Sequence, residues 1–315
     1  MTPARRKALL VPLLSGVFVV LWTSGFIAGP IGVDAAPPLA LTFWRFALAA
    51  TILTAVALAT KAPWPRGRAA WTQLVLTGLL MQAMMFGFAY LALDAGVSAG
   101  LAALISGASP VMIALGGTLA LKEKLSPLQW VGTLLGFVGI AVAVTGELDG
   151  TGLGLGVLFA LIGTAGFAAG TLVQRRFGVT MDLRTGPAVQ LAAAALAVAP
   201  VAAVKDGLAI PLTMPSLGAL AWLALGNSVL AFGVMFFLLR HRTAADTARM
   251  MLLVPPLTAV VAWPLLGQPT DVYIWAGLVI TGAGVAIASR RVRRRETVGV
   301  AVAEPEPEPA LSPLR

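Results

Sequence analysis

The chain has 315 residues, of which 58% are hydrophobic and only 11% are charged, whereas about a quarter of the residues of a soluble domain are charged. It contains no cysteine, which excludes disulfides and thiolate metal sites. The formal net charge of +9 resides in short basic clusters between apolar runs, so it does not predict a nucleic-acid-binding surface. The composition therefore predicts an integral membrane protein.

Apolar runs of about 20 residues, long enough to cross a bilayer, follow one another along the chain. The first run follows the basic stretch "ARRK", as in a secretory signal, but it is too long for the apolar core of one. Proline, glycine and charged residues separate the runs. We predict an all-α integral membrane protein with ten transmembrane helices, at 9–29, 38–59, 70–92, 96–120, 127–145, 152–173, 187–204, 217–239, 245–266 and 272–289.

Lysine and arginine are distributed unequally between the two sides that these spans define. One side receives nearly all of them, whereas Lys205 is the only basic loop residue of the other side, which is otherwise acidic. The positive-inside rule makes the basic side cytoplasmic, so both termini are predicted in the cytoplasm of a multi-pass cytoplasmic-membrane protein. The basic side carries Arg5, Arg6, Lys7, Lys61, Arg66, Arg68, Lys122, Lys124, Arg175, Arg176, Arg184, Arg240, Arg242 and the arginines of 290–295; the other side carries Asp34, Asp94, Glu147, Asp149 and Asp271.

The end of the chain differs in composition from the rest. Residues 291–315 contain the alternation "EPEPEP", which cannot form a packed core and predicts a disordered cytoplasmic tail. The arginines at 290–295 predict a lipid-headgroup anchor, with a binding site as the alternative. Asp246 and Arg249 are three residues apart at the start of the ninth span and are expected to pair locally.

The chain contains an internal repeat with a shift of 145 residues. Since each half has five spans, an odd number, the second half is predicted to enter the membrane upside down, as in secondary transporters. The predicted organisation is a cytoplasmic N-terminus (1–8), two inverted five-helix repeats (9–146 and 151–290) and the tail (291–315). The shift aligns Pro110 with Pro255, Trp130 with Trp275, Gly132 with Gly277, Gly139 with Gly284, Ala141 with Ala286 and Gly25 with Gly170.

Three stretches carry a resemblance to a known family: "LWTSGF" in the first span, "FWRF" in the second and "SPVMIALGGTLALKEKLSPLQWVGTLLGFVGIAV" over the fourth and fifth. With the ten-span doubling, the chain resembles the EamA-type family of the drug/metabolite transporter superfamily over residues 9–290. The resemblance implies a ten-helix exporter of small metabolites with a central cavity that opens alternately to each side. The family's acidic position falls on Gln268 in the second half, so the resemblance does not extend to a role that needs a carboxylate in both halves.

Two carboxamides occupy equivalent positions in the repeat. Gln82 lies near the middle of the third span, and Asn227, its mate at the 145-residue shift, lies near the middle of the eighth. An amide cannot face lipid without leaving its hydrogen-bonding groups unpaired. Each side chain therefore faces either a substrate cavity between the halves or a neighbouring helix, and the sequence leaves both readings open.

Prolines interrupt the fourth span in "ISGASPV" and the ninth in "LLVPPLT". Pro110 and Pro255 each remove the hydrogen-bond partner of the carbonyl four residues before it, which in the first case belongs to Ser106. Ser106, Gly107 and Ser109 are predicted to share one turn, where hydroxyls would lie beside exposed backbone. A substrate-binding role and a packing role both remain open for these helix breaks.

Aromatic residues are frequent within the spans. Trp22 and Tyr90 are the better candidates for a cavity, because each carries a polar group inside its span. Trp44 and Trp275 lie closer to span ends and are predicted at the membrane interfaces. The remaining aromatic residues are predicted to face lipid or the core, and they are Phe26, Phe86, Phe88, Phe232, Phe236 and Phe237.

Arg45 is a charged residue inside an apolar run. It lies about 10 Å along the helix from Pro38, too deep to reach the interface easily, and a guanidinium there costs about 2.5 to 3.5 kcal/mol on insertion scales. No acidic residue lies at comparable depth in the sequence. We therefore expect its partner to be a backbone carbonyl or an anionic group of the substrate, and we favour the structural role. Its repeat mate is Gln190, again polar, so both helices are predicted to turn this face inward.

The inverted repeat favours a secondary transporter as the function. The family resemblance implies that it exports small metabolites such as amino acids or related compounds, with small organic toxicants as the alternative substrates. An enzyme within the bilayer would need a cluster of His, Cys or carboxylates, a channel would need a ring of charge, and a pump would need a nucleotide-binding motif; the sequence has none of these. We expect no cofactor and no metal, a small-molecule substrate and the lipid bilayer as partners, and a monomer or homodimer.

Proton coupling is not expected. The interiors of the spans contain no acid or histidine that could alternate between the two aqueous sides. Asp94 lies at the outer boundary, and Glu123 and Asp246 lie at the inner one. Lys122 and Lys124 flank Glu123 and favour its charged form, so we expect downhill or exchange transport.

The orientation can be tested with reporters fused within the loops. A reporter after Arg68 or Arg242 is expected in the cytoplasm, and one after Glu147 or Asp271 on the opposite side, because basic loops are retained in the cytoplasm. Paired alkaline phosphatase and fluorescent-protein fusions report the two locations. Phosphatase activity of the Arg68 fusion would contradict the ten-span topology.

Overall fold

The computed structural model describes residues 3–122, 125–146, 153–177, 181–241, 250–268 and 271–288. Helices joined by short connections make up these ranges, and no strand occurs within them. Glu147, Asp149, Glu123, the predicted pair Asp246 and Arg249, and the predicted tail lie outside the described residues. The helices are α1 (Pro3–Ala35), α2 (Pro38–Ala59), α3 (Arg68–Gly78), α4 (Met85–Asp94), α5 (Ala99–Gly107), α6 (Ser109–Leu121), α7 (Pro127–Thr145), α8 (Leu153–Phe177), α9 (Thr185–Lys205), α10 (Met214–Ala221), α11 (Phe232–His241), α12 (Val254–Leu266) and α13 (Val272–Ala288).

Eight helical stretches within the described ranges are long and apolar enough to cross a membrane. They coincide with the first eight predicted spans. The ninth and tenth predicted spans correspond to α12 and α13, which are apolar but shorter in the part of the chain that the structure describes. The protein is therefore a multi-pass, all-helical membrane protein, and the count of ten spans stays a prediction.

Helix starts follow local capping chemistry. The Ser98 hydroxyl accepts a hydrogen bond from Leu101 N–H (3.1 Å) at the start of α5. Ser126 and Gln129 form a reciprocal capping box at the start of α7. Lys122 and its repeat mate Gly267 both adopt the left-handed conformation at the ends of α6 and α12, with φ of 55° and 63°. The two repeats therefore end this helix with the same backbone conformation.

One predicted boundary and one predicted turn are wrong. The first span was predicted to end at residue 29, but α1 continues through Pro30 to Ala35, because a proline removes one helical hydrogen bond and need not end a helix that neighbours support. The fourth span is interrupted next to Pro110, as the sequence predicted, and it consists of two helices because the chain breaks at Ala108 with φ −83° and ψ 2°. Ser106 therefore lies in the last turn of α5 and Ser109 begins α6, and they do not share the single helical turn that the sequence predicted.

Wider π-helical turns occur at equivalent places in the two halves, and the sequence analysis did not predict them. The π-turn of the first half, Leu79–Met84, joins α3 to α4 and contains Gln82. The π-turn of the second half, Trp222–Ala231, joins α10 to α11 and contains Asn227. Such turns redirect side chains and free backbone carbonyls. Each half thus has an irregular turn at its carboxamide.

Helices α7 and α13, which are repeat mates, pack backbone to backbone. A Cβ added to Gly139 would lie 2.8 Å from Gly277 O, and one added to Gly284 would lie 2.7 Å from Gly132 O. Small residues of this kind allow close helix approach in membranes, where apolar burial does not drive association. Since Gly132 faces Gly284 and Gly139 faces Gly277, the two helices run antiparallel.

The other contacts between the halves also join repeat mates or lie at equivalent positions of the two repeats. Helices α2 and α9 are mates that pack through small and aliphatic side chains, with Leu39 against Val198 and Ala202. Helix α1 packs on the π-turn of the second half, and its mate α8 packs on that of the first. Gly25 and Gly170 allow these approaches, because an added Cβ would overlap Asn227 and Met81 respectively.

Two glycines of α13 provide a matched test of the backbone packing. Gly284→Ala is expected to lower the free energy of unfolding by about 1 to 3 kcal/mol, because its methyl group would overlap α7. Gly282→Ala, on the same helix, has no atom within 4 Å of the added methyl group and is expected to be neutral or to stabilise by about 0.5 to 1 kcal/mol. Thermal unfolding of the detergent-solubilised variants measures both. Equal midpoints would contradict the contact.

Candidate functional site

A cavity of about 40 Å³ lies between α1, α2, α4 and α5 of the first half and the π-turn and start of α11 of the second. It has room for only a few water molecules. Its wall combines aromatic rings with a few polar groups, as in small-molecule sites. The lining residues are Trp22, Gly25, Phe26, Arg45, Met85, Phe86, Ala89, Tyr90, Leu93, Ala102, Ser106, Asn227 and Phe232.

Arg45 lies in the wall of this cavity and is 1% exposed. Its Nε donates a hydrogen bond to Ser228 Oγ (2.9 Å), and its Nη1 donates one to Tyr90 Oη (2.5 Å). The guanidinium carbon lies 4.1 Å from the centroid of the Phe86 ring, close enough for a cation–π interaction. The charge is therefore held by two hydroxyls and an aromatic face.

The sequence predicted a backbone carbonyl or an anionic group of the substrate as the partner of Arg45. The backbone carbonyl is wrong, because both hydrogen bonds go to hydroxyls. The guanidinium reaches a carbonyl only through Ser228, whose hydroxyl donates to Leu223 O (3.0 Å). That bond spans five residues within the π-turn of the second half, where the wider spacing presents Ser228 toward α2. The sequence could not reveal this partner, because the direction of Ser228 depends on the irregular turn.

Asn227 is held by the "LWTSGF" segment of α1. Its Nδ2 donates to Leu21 O (2.6 Å), which also accepts from Ser24 Oγ (2.7 Å). Ser24 Oγ in turn accepts a hydrogen bond from Trp222 Nε1 (2.9 Å). Gly25 leaves room for the Asn227 side chain. The motif therefore serves to join α1 to the second half at the cavity.

Aromatic residues form most of the remaining wall. Trp22 packs edge-on against Phe232, with ring centroids 5.3 Å apart. Phe26, Phe86 and Phe232 line the cavity, although the sequence grouped them with lipid-facing or core residues. Phe26 follows Trp22 by four residues and Phe86 precedes Tyr90 by four, a spacing that places each pair on one helix face. That spacing is the signal that could have identified two of the three.

Other predicted residues lie outside the cavity wall. Gln82 is 3% exposed, and its Oε1 has no hydrogen-bond partner within the described residues. Ser109 is buried at the start of α6, next to Pro110, whereas Ser106 lines the cavity. Pro255 packs against Gly107, where an added Cβ would lie 2.7 Å from Pro255 Cγ. The cavity thus brings together Trp22, Arg45, Tyr90, Ser106 and Asn227, and it does not include Gln82, Ser109, Pro110 or Pro255.

Polar side chains at helix ends also join the halves. Gln268 Oε1 accepts a hydrogen bond from Ala99 N–H (2.9 Å), so it caps α5. Asp206 Oδ2 accepts one from Leu39 N–H (3.0 Å) near the start of α2. Gln190 donates to Thr77 Oγ1 (3.0 Å), as expected for a side chain turned inward. Gln268 therefore acts here as a neutral cap that needs no carboxylate.

A second cavity, of about 230 Å³, lies where the connection before α3 meets the start of α9. Asp182 accepts hydrogen bonds from Arg184, which lower the pKa of its carboxyl to about 2. Thr185 Oγ1 donates to Pro63 O (2.8 Å) and closes this side. The described residues contain no group of His, Cys, Asp or Glu able to hold a metal ion. The lining residues are Pro63, Trp64, Pro65, Arg66, Ala70, Gln73, Leu74, Met181, Asp182 and Thr185.

Comparison with known families gives two matches within the chain. Residues 9–145 and 154–290 each match the EamA-like transporter family. The chain is also similar to a solved crystal structure, with a TM-score of 0.64 and 20% identity, over 92% of this chain and 99% of the other. At that identity the likeness concerns the fold alone.

Curated relatives span nearly the whole chain. An uncharacterized transporter of Archaeoglobus fulgidus is 27% identical over 89% of this chain and 97% of the relative. The uncharacterized inner membrane transporter YedA of Escherichia coli is 29% identical, over 89% and 91%. A probable amino-acid metabolite efflux pump of the same organism is 26% identical, over 90% and 96%. All three are described as transporters or efflux pumps.

The chain has two tyrosines, which provide a matched test of the Arg45 contacts. Tyr90→Phe removes a hydrogen-bond partner of the buried guanidinium and is expected to lower the free energy of unfolding by about 1 to 3 kcal/mol. Tyr273→Phe, at a side chain that is 50% exposed, is expected to change it little. Thermal unfolding in detergent compares the two. A Tyr90→Phe midpoint equal to that of wild type would contradict a role for the hydroxyl in holding Arg45.

Proposed function

This chain belongs to the EamA-like transporter family, and we propose that it is a secondary transporter that exports small metabolites, amino acids or related compounds, across the cytoplasmic membrane. The observation that carries the proposal is the cavity walled by both halves, with Arg45, Tyr90 and Asn227 in its wall. Alternating access can expose a site at the interface of two repeats first to one side of the membrane and then to the other.

The proposed mechanism depends on an inverted repeat of ten helices, five in each half. Antiparallel packing of the mates α7 and α13 supports this inversion, because mates in an inverted repeat point in opposite directions. In this scheme, each half rocks against the other and adopts in turn the conformation of its mate. Both termini lie in the cytoplasm, as the basic loops predict.

Amino acids are proposed as substrates on two grounds. Two relatives, from Escherichia coli and Salmonella typhimurium, are described as probable amino-acid metabolite efflux pumps. The wall of the cavity has aromatic rings for an apolar body and a few polar groups for a polar end. Small organic toxicants are the alternative substrates, and a membrane-embedded enzyme is the rival class. An enzyme would change its substrate, whereas a transporter moves it unchanged.

Filling the cavity tests the proposal. Purified protein in liposomes is expected to release preloaded radiolabelled amino acids, and Ala89→Phe is expected to abolish this flux, because the added ring would occupy the small cavity. Ala55→Phe adds the same ring at an exposed position of α2 and is expected to preserve the flux. Chromatographic analysis of the released compound establishes that it is unchanged.

Two outcomes would contradict the proposal. Flux of Ala89→Phe equal to that of Ala55→Phe, with both variants folded, would remove this cavity from the transport path. Recovery of a chemically altered compound, or the absence of flux for every amino acid and organic toxicant supplied to wild-type protein, would contradict transport as the function.

A further inference from the structure

Arg45 carries a permanent charge that no described carboxylate balances. The carboxylates of the described residues all lie at helix ends or in connections. Asp182 and Asp206 pair with Arg184 and Lys205, Asp271 accepts from Ile274 N–H, and Asp34 and Asp94 are exposed. The Arg45 charge is thus buried among hydroxyls and rings, although a buried cation is stabilised far better by an opposite charge.

The guanidinium also retains unused donors. Of its five N–H groups, Nε and one of Nη1 donate to Ser228 and Tyr90, and no described residue accepts from Nη2. The two hydroxyls and the Phe86 ring hold the planar group in one orientation. Since Arg45 lines the cavity, a fixed cation with free donors borders the place where a ligand would lie.

We propose that Arg45 receives the carboxylate of the transported molecule, so that the cavity selects small organic acids with an apolar body. The inference rests on the proposed function, because it assigns the substrate class of that same cavity. A carboxylate accepts charge-assisted hydrogen bonds from a guanidinium and supplies the missing opposite charge. If Arg45 only donated hydrogen bonds to two hydroxyls, no opposite charge would offset the free-energy cost of its desolvation.

The rest of the wall suits the remainder of such a molecule. Trp22, Phe26 and Phe232 present rings to an apolar body. Asn227 uses its Nδ2 for Leu21 O, and its Oδ1 accepts no hydrogen bond from the described residues. Asn227 directly precedes Ser228, which accepts a hydrogen bond from Arg45, so this acceptor lies next to a residue that holds the cation. An ammonium group beside the carboxylate would find an acceptor there, so hydrophobic amino acids fall within the class.

Matched pairs of probes test the inference on the unmodified full chain. The pairs are 4-methylpentanoate with 4-methylpentanamide, L-leucine with L-leucinamide, and L-phenylalanine with L-phenylalaninamide. Titration in detergent, followed by thermal unfolding and tryptophan fluorescence, gives the affinity for each. We expect at least one carboxylate to bind about tenfold or more tightly than its amide, since hydrogen bonds to charged groups are worth about 1.5 to 3 kcal/mol.

Substitution of the arginine assigns the preference to Arg45. Arg45→Gln is expected to reduce the carboxylate preference to about twofold or less, whereas Arg68→Gln, at an exposed arginine, is expected to retain it. If Arg45→Gln does not fold, Ser228→Ala replaces it as the tested variant, because it frees Nε while keeping the charge. The carboxylate preference of Ser228→Ala is then compared with that of wild-type protein. We expect Ser228→Ala to weaken carboxylate binding more than amide binding.

The inference is overturned if no carboxylate binds more tightly than its amide at millimolar concentration, or if folded Arg45→Gln keeps the wild-type preference. If wild-type protein in liposomes moves amides or cations as well as acids, the transport function stands and only the inference fails. If carboxylates bind selectively but no probe crosses the liposome membrane, the inference stands and the transport function fails.

Discussion

The burial of one guanidinium constrains the centre of this protein. Arg45 lies in an apolar bundle, and its hydroxyl partners come from opposite halves, Tyr90 from α4 and Ser228 from the second π-turn. Protein groups must accept hydrogen bonds from such a cation and stabilise its charge, because the lipid interior supplies neither hydrogen-bond acceptors nor an opposite charge. Helices α2 and α4 and the second π-turn therefore meet around this charge.

Close packing of the halves depends on residues with little or no side chain. Gly25 admits Asn227 to α1, and Gly78 allows α3 to approach the backbone of α9 at Gln190. In lipid, apolar burial does not drive helices together, so van der Waals contact and interhelical hydrogen bonds must do so. Glycine permits both at once, since it shortens the distance between axes and exposes backbone carbonyls to donors on the neighbouring helix.

The contacts between the halves differ in how readily they can separate. The α7–α13 contact is formed by backbones in direct apposition, and such packing cannot slide without overlap. Around the cavity, the halves are joined by side-chain hydrogen bonds such as Trp222 to Ser24 and Asn227 to Leu21, which water or a ligand can replace. The cavity of about 40 Å³ is too small for an amino acid, so the binding proposed for this cavity would require these side-chain contacts to rearrange. In the proposed mechanism, the glycine contact between α7 and α13 would then stay fixed while the side-chain contacts around the cavity rearrange.

Composition, span length and repeat were sufficient to predict a helical membrane protein of two related halves, because each depends on local chemistry that the chain carries in order. The resemblance to the EamA-type family came from the sequence motifs of the first, second, fourth and fifth spans. They also singled out Trp22, Arg45, Tyr90, Ser106 and Asn227, since a polar group inside an apolar span must find a partner wherever the helix packs. The sequence did not identify Ser228 as the partner of Arg45, nor did it separate Asn227, in the cavity wall, from its mate Gln82, outside it. Those outcomes depend on the π-turns, which rotate side chains by a fraction of a turn, and on residues far apart in the chain that meet only when the halves pack. Local periodicity contains no information on either, so only the tertiary structure decided them.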